Sequence, residues 1–294
     1  MGTPSGCPFF WGVAMAVLSL ALQTRSQFKL RKRRNTMNNL PNPTASHWLN
    51  KVPAVTLGFW IIKIMATTVG ETVADYLAVD AGFGALSTRI AMGILLAVAL
   101  LSQLRKQRYV PCLYWLTVVL VSIVGTQITD GLTDDLGISL YLSTPLFALG
   151  LAAVFAIWYG VERTLSIHAI FTLRRELFYW AAILCTFALG TAAGDLATEA
   201  LGLGFQVGVI AFGALIALTF VGYKLGLNSV LAFWIAYILT RPLGASLGDL
   251  LSQAKTYGGL GFGAMLTSAA FLTTIVCLVA FAHVRLNKQD AVAR

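Results

Sequence analysis

Trp60-Ile-Ile-Lys-Ile-Met-Ala-Thr-Thr-Val-Gly-Glu-Thr-Val-Ala-Asp75 places a glycine ten residues, and an aspartate fifteen residues, after a tryptophan. The same offsets return in Trp115/Gly125/Asp130, Trp180/Gly190/Asp195 and Trp234/Gly244/Asp249. The tryptophans stand 55, 65 and 54 residues apart, so the chain is one unit written four times. Every copy is mostly apolar, yet every copy retains the aspartate. A carboxylate kept inside a membrane is costly, which makes each of these a candidate functional group.

The 294 residues are 57% hydrophobic and only 11% charged, with a mean hydropathy of +0.77. That composition excludes an ordinary soluble domain. A helix needs about 20 residues to cross ~30 Å of hydrocarbon. Eight apolar runs come close to that length, at roughly 54–74, 88–104, 111–129, 144–161, 177–194, 205–223, 228–248 and 262–282. The expected fold is all-α: a polytopic membrane protein of about eight transmembrane helices, two per repeat. Two crossings per unit make all four copies point the same way, so the repeats are parallel. They divide a membrane domain, 52–283, into 52–108, 109–172, 173–226 and 227–283. A basic segment, 1–51, precedes it and a tail, 284–294, follows.

The net charge of +9 is a topology signal. Basic residues cluster at Arg25 to Arg34 and Lys51, then at Arg105, Lys106 and Arg108, at Arg163, Arg174 and Arg175, at Lys224, and at Arg285, Lys288 and Arg294. These positions precede the first helix or follow an even-numbered one, so they share one side. The positive-inside rule places that side, and both ends of the repeat domain, in the cytoplasm. The bilayer is the expected partner and nucleic acid is not; homo-oligomerisation stays open. Cys7, Cys112, Cys185 and Cys277 form no paired motif and read as apolar filler. Residues 8–22 are apolar but have no basic residue before them, unlike a signal peptide. They read either as a short extra helix or as an extension ahead of a true start at Met37.

Within each repeat the tryptophan, paired with an aromatic neighbour, reads as an interfacial anchor. Gly70/Ala74, Gly125/Thr129, Gly190/Gly194 and Gly244/Gly248 form a small-residue stripe that lets neighbouring helices approach closely, around a common axis. Beside it runs a polar stripe: Glu71/Asp75, Thr126/Asp130, Thr191/Asp195 and Ala245/Asp249, extended to Asp134 in the second repeat and Glu199 in the third. At 1.5 Å per residue the aspartates lie about 22 Å above the tryptophans, and packing on the small stripe turns them toward one another. The competing reading is that each aspartate caps a short surface helix, as in Asp195-Leu-Ala-Thr-Glu199. Lys63 is peculiar to repeat one and reads as snorkelling to the interface or as a substituting charge. Arg241-Pro242 is peculiar to repeat four; the arginine is expected to pair with a carboxylate, and the proline to kink its helix.

No hydrolase, nucleotide-binding or haem-ligand pattern is present, so no enzymatic activity and no resident cofactor are expected. The tryptophan-bearing unit, carried by Trp60, Trp115, Trp180 and Trp234 over residues 52–283, resembles a family of bacterial inner-membrane proteins made of four copies of a repeat of unknown function. That resemblance implies a bacterial inner-membrane location and no particular activity. Gly190-Thr-Ala-Ala-Gly-Asp195 and Gly244-Ala-Ser-Leu-Gly-Asp249 are similar in chemistry to membrane cation exchangers.

The expected function is secondary transport: export or exchange of a hard divalent cation such as manganese, coupled to protons or sodium. Oxygen donors without thiolate or imidazole favour such ions. Glu71, Asp75, Asp130, Asp195 and Asp249 would ligate the ion. Thr67, Thr68, Thr126, Thr191 and Glu199, with Lys63 and Arg241, would line its path. The alternatives are a non-transporting assembly or sensing component, or a carrier of a small organic solute or anion.

Overall fold

Thr56, Thr172 and Asn228 each turn a side-chain oxygen onto an early backbone N–H of the following helix, and Pro111 opens another helix where no amide is needed. A computed structural model describes residues 50–77 and 84–292, with side chains to Arg285. The apolar stretch 8–22 and the Met37 start lie outside the described residues. In chain order the helices are α1 (Leu57–Asp75), α2 (Ala85–Arg105), α3 (Pro111–Asp130), α4 (Leu140–Glu162), α5 (Leu173–Asp195), α6 (Phe205–Lys224), α7 (Ser229–Ser252) and α8 (Ala264–Val292). All eight are long and apolar enough to cross a membrane, and no strand occurs among the described residues.

The odd helices bury 44–72% of their spans and the even ones only 11–22%, which separates an inner ring from an outer one. Inside, α1 packs on α3, α3 on α5, α5 on α7, and α7 returns to α1. Outside, α2 lies on α3, α4 on α5, α6 on α7 and α8 on α1. Each repeat therefore lays its second helix against the first helix of the next repeat. Large apolar side chains such as Ile94, Leu146, Ile210 and Val276 point outward from the even helices. Exposed in this number they suit lipid rather than water.

Two helix ends depart from expectation. α3 and α5 do not stop at their aspartates but widen into single π-helical turns, Gly131–Asp135 and Leu196–Ala200. The stretch after Asp195 is thus a continuation of α5, not a separate surface helix. Pro242 stands inside a continuous α7.

Candidate functional site

The ring is drawn together at its glycines. A Cβ on Gly70 would lie 1.8 Å from Ser122 Oγ of α3; on Gly125, 2.6 Å from Phe187 Cβ of α5; on Gly190, 2.4 Å from Arg241 Cβ of α7; on Gly244, 2.0 Å from Thr67 Oγ1 of α1. The glycine ten residues after each tryptophan therefore meets the residue seven after the next one, and the fourth contact closes the circle. No side chain fits at these four points, so the helix backbones touch almost directly.

Directly above this layer Arg241 occupies the axis, fully buried. Its Nη2 donates to Glu71 Oε2 at 2.6 Å, to Thr191 Oγ1 at 2.6 Å and to Thr126 Oγ1, while Nη1 reaches the Thr67 carbonyl at 3.4 Å. The expected ion pair is present, and its partner is Glu71. The threonines are all engaged within the bundle. Thr126 and Thr191 hold the guanidinium, Thr67 donates to the carbonyls of Ile64 and Thr240, and Thr68 donates to that of Ile64.

Beyond Arg241 the acids gather. Asp75 ends α1, Asp249 lies within α7, and Asp130 and Asp195 stand where α3 and α5 enter their π turns. The side chains of Asp130 and Asp195 cap nothing, so the capping role fails for them: the helix runs on and exposes no bare amide to bond. A cavity of about 280 Å³ is lined by Glu71, Asp75, Asp130, Asp134, Asp135, Asp195, Glu199 and Asp249. Eight of the twelve acidic residues in the chain thus face one space. The basic residue in its wall, Arg89, is bonded to Asp135. One carboxylate oxygen each from Glu71, Asp75 and Asp249 lie within 4.8 Å of one another. That arrangement can share a single cation among three negative groups.

Gln127 was not singled out from sequence, because only repeat two carries an amide at that offset. It is buried in the cavity wall, and neither its Oε1 nor its Nε2 has a hydrogen-bond partner. A neighbouring groove of about 410 Å³ shares Arg89, Gln127 and Asp135 with the acidic cavity and is otherwise apolar, formed by residues such as Val124, Ile128 and Leu136.

Below the glycine layer the axis is closed. Lys63 does not snorkel. It is buried, its Nζ lies 4.1 Å from the Phe187 ring centre and 4.3 Å from that of Tyr237, and it has no hydrogen-bond partner. Lying three residues inside the tryptophan layer, it is roofed by α5 and α7, which leaves the stem no route to the surface. The tryptophans also depart from expectation. Trp115, Trp180 and Trp234 are buried within the bundle, in ring-to-ring contact with Tyr114, Tyr179, Phe233 and Tyr237. The Tyr114 and Tyr179 hydroxyls meet at 2.5 Å. These residues form a core layer, because ring closure brings the face that carries them inward. At the same end Lys51 Nζ lies 2.6 Å from Glu176 Oε2, with Gln103 Nε2 donating to Glu176 Oε1 at 3.3 Å. This buried pair joins the segment before α1 to α2 and α5.

No curated protein and no solved structure matches the chain. A family model described as a Repeat of Unknown Function (DUF347) matches residues 48–109, 113–164, 178–225 and 232–286. Those four stretches cover most of the sequence and follow the helix pairs in order, so the chain belongs to the family built from the Repeat of Unknown Function (DUF347).

Proposed function

We propose that this membrane protein is a secondary transporter that moves a hard divalent cation, Mn²⁺, Mg²⁺ or Ca²⁺, in exchange for protons or sodium. The observation that carries this reading is the acidic cavity, with eight carboxylates in its wall and three of their oxygens within 4.8 Å of one another. An all-oxygen donor set suits hard ions. A pocket lined by one sign of charge raises the local concentration of counter-ions. The same field repels anions, which weighs against an anionic solute. The basic clusters lie at the tryptophan end of the helices. By the positive-inside rule that end faces the cytoplasm of a bacterial inner membrane, and the acidic cavity lies toward the outer face.

Transport requires the lower half to part, since Lys63 and the aromatic layer fill the axis there, and Arg241 to move aside above them. A permanently closed lower half favours the second reading, a cation-responsive membrane component that carries no flux. Proteoliposomes holding a Mn²⁺-sensitive dye separate the two. Wild-type protein is expected to admit Mn²⁺, with competition by Mg²⁺ or Ca²⁺, and the D75N/D249N variant to fall to the protein-free rate. Cation-dependent thermal stabilisation without any flux would establish the second reading instead.

A further inference from the structure

We infer that the fourfold acidic ring resolves into one divalent-cation site, made by Glu71, Asp75 and Asp249 at the seam between α7 and α1, and that Arg241 is its built-in competitor for Glu71. This inference rests on the cation reading above and deepens it.

The seam differs from the other three junctions. Eleven residues after the tryptophan, repeat one has Glu71 where the others have Thr126, Thr191 and Ala245. The helix that packs there, α7, has glycine at both stripe positions, as α5 has at its own junction with α7. A Cβ on Gly248 would lie 3.3 Å from Glu71 Cβ, and one on Gly244 would overlap Thr67. That closeness brings Asp249 of the last repeat against Glu71 and Asp75 of the first, whereas Asp130 and Asp195 line the cavity outside this trio.

The charges fit one divalent ion. Three carboxylates with a single guanidinium among them carry two formal negative charges in excess. A separate observation also points to a ligand: Gln127, buried in the wall of the same cavity, has both amide atoms without a protein partner. A buried amide left unsatisfied is costly. The hydration shell of a cation held in this cavity could supply partners for both of its ends.

Arg241 then sets the affinity. With Nη2 on Glu71 Oε2, the guanidinium already occupies one of the ligands the ion needs. An ion that takes both Glu71 oxygens displaces it onto Thr126 and Thr191, which it already touches. Binding is weakened by that exchange, and release is assisted by its reversal.

Isothermal titration of MnCl₂ into the full chain in neutral-lipid nanodiscs tests this. One Mn²⁺ per chain is expected. D249N should weaken binding by about a hundredfold, since affinity follows the charge count of the ligands. D195N should weaken it by less than about fivefold, since that charge acts from farther off. R241Q should tighten it by about tenfold, because a neighbouring positive charge is gone. If R241Q does not fold, R241K replaces it; its shorter side chain draws the positive charge back from Glu71, and about threefold tightening is expected. Equal losses at Asp195 and Asp249, or more than one ion per chain, would overturn the seam site. Unchanged or weaker binding in R241Q, or in R241K where that replaces it, would overturn the competitor role. Wild-type protein that binds none of Mn²⁺, Mg²⁺ and Ca²⁺ would bring down the proposed function itself, an outcome distinct from either of these.

Discussion

At the starting ends of α1, α3, α5 and α7, aromatic rings pack edge-to-face or tilted, with centroids 5.1–6.5 Å apart. At the far ends the same four helices surround a cavity of about 280 Å³ walled by carboxylates. The glycine layer lies between the two. The contrast divides the labour of the bundle: rings that each bury roughly 150–250 Å² hold it shut at one end. That cohesion lets the other end keep like charges together without coming apart. Arg241, at the boundary, belongs to both halves.

Four single substitutions, one of them a control, and one double variant probe this division by equilibrium unfolding of the purified protein. Gly244→Ala should cost about 3 kcal/mol or more, because its Cβ would strike Thr67 and stand 3.0 Å from the Thr68 backbone nitrogen. Gly213→Ala in α6, where a Cβ meets nothing within 4 Å, is the control and should be neutral or gain about 0.5 kcal/mol. Equal effects at the two glycines would remove the glycine layer as the element joining the halves. Arg241→Met should cost about 3–5 kcal/mol by stranding Glu71, with most of the loss recovered in the E71Q/R241M pair. No recovery would mean that Arg241 acts through packing rather than charge. Lys63→Met should change stability least and in the other direction, gaining about 1 kcal/mol, since an apolar side chain of similar size replaces an ammonium that has no acceptor. A loss instead would give the cation–π contacts with Phe187 and Tyr237 a structural role.

The parts of this fold legible in the sequence are those written as a period. The offsets of Trp60, Gly70 and Asp75, repeated three times, disclose the helix pairs, the close-packed stripe and the level of the aspartates. The order of packing is not periodic information. That α2 lies on α3, and α8 on α1, depends on how the connections run, and helices two positions apart in the chain become neighbours only in space. The tryptophans illustrate the cost. A ring near a helix end suits an interface or a core equally, and the closed circle decides between them. Gln127 and the Lys51–Glu176 pair occur once each and belong to no repeat, so no pattern announces them. Arg241 is the intermediate case. Its need for an acidic partner followed from charge alone, but that the partner is Glu71, 170 residues earlier, and that Thr126 and Thr191 share it, required the ring.

Because α7 and α8 both pack on α1, the opening helix of the first repeat depends on both helices of the fourth. Thr72 receives the Ser268 hydroxyl at 2.7 Å, Thr67 donates to the Thr240 carbonyl, and Glu71 receives Arg241. Through most of translation that polar face has none of these partners. Completion of that face therefore waits for the fourth repeat. A chain interrupted after α6 would leave Glu71 without its arginine, a defect that membrane quality control could recognise.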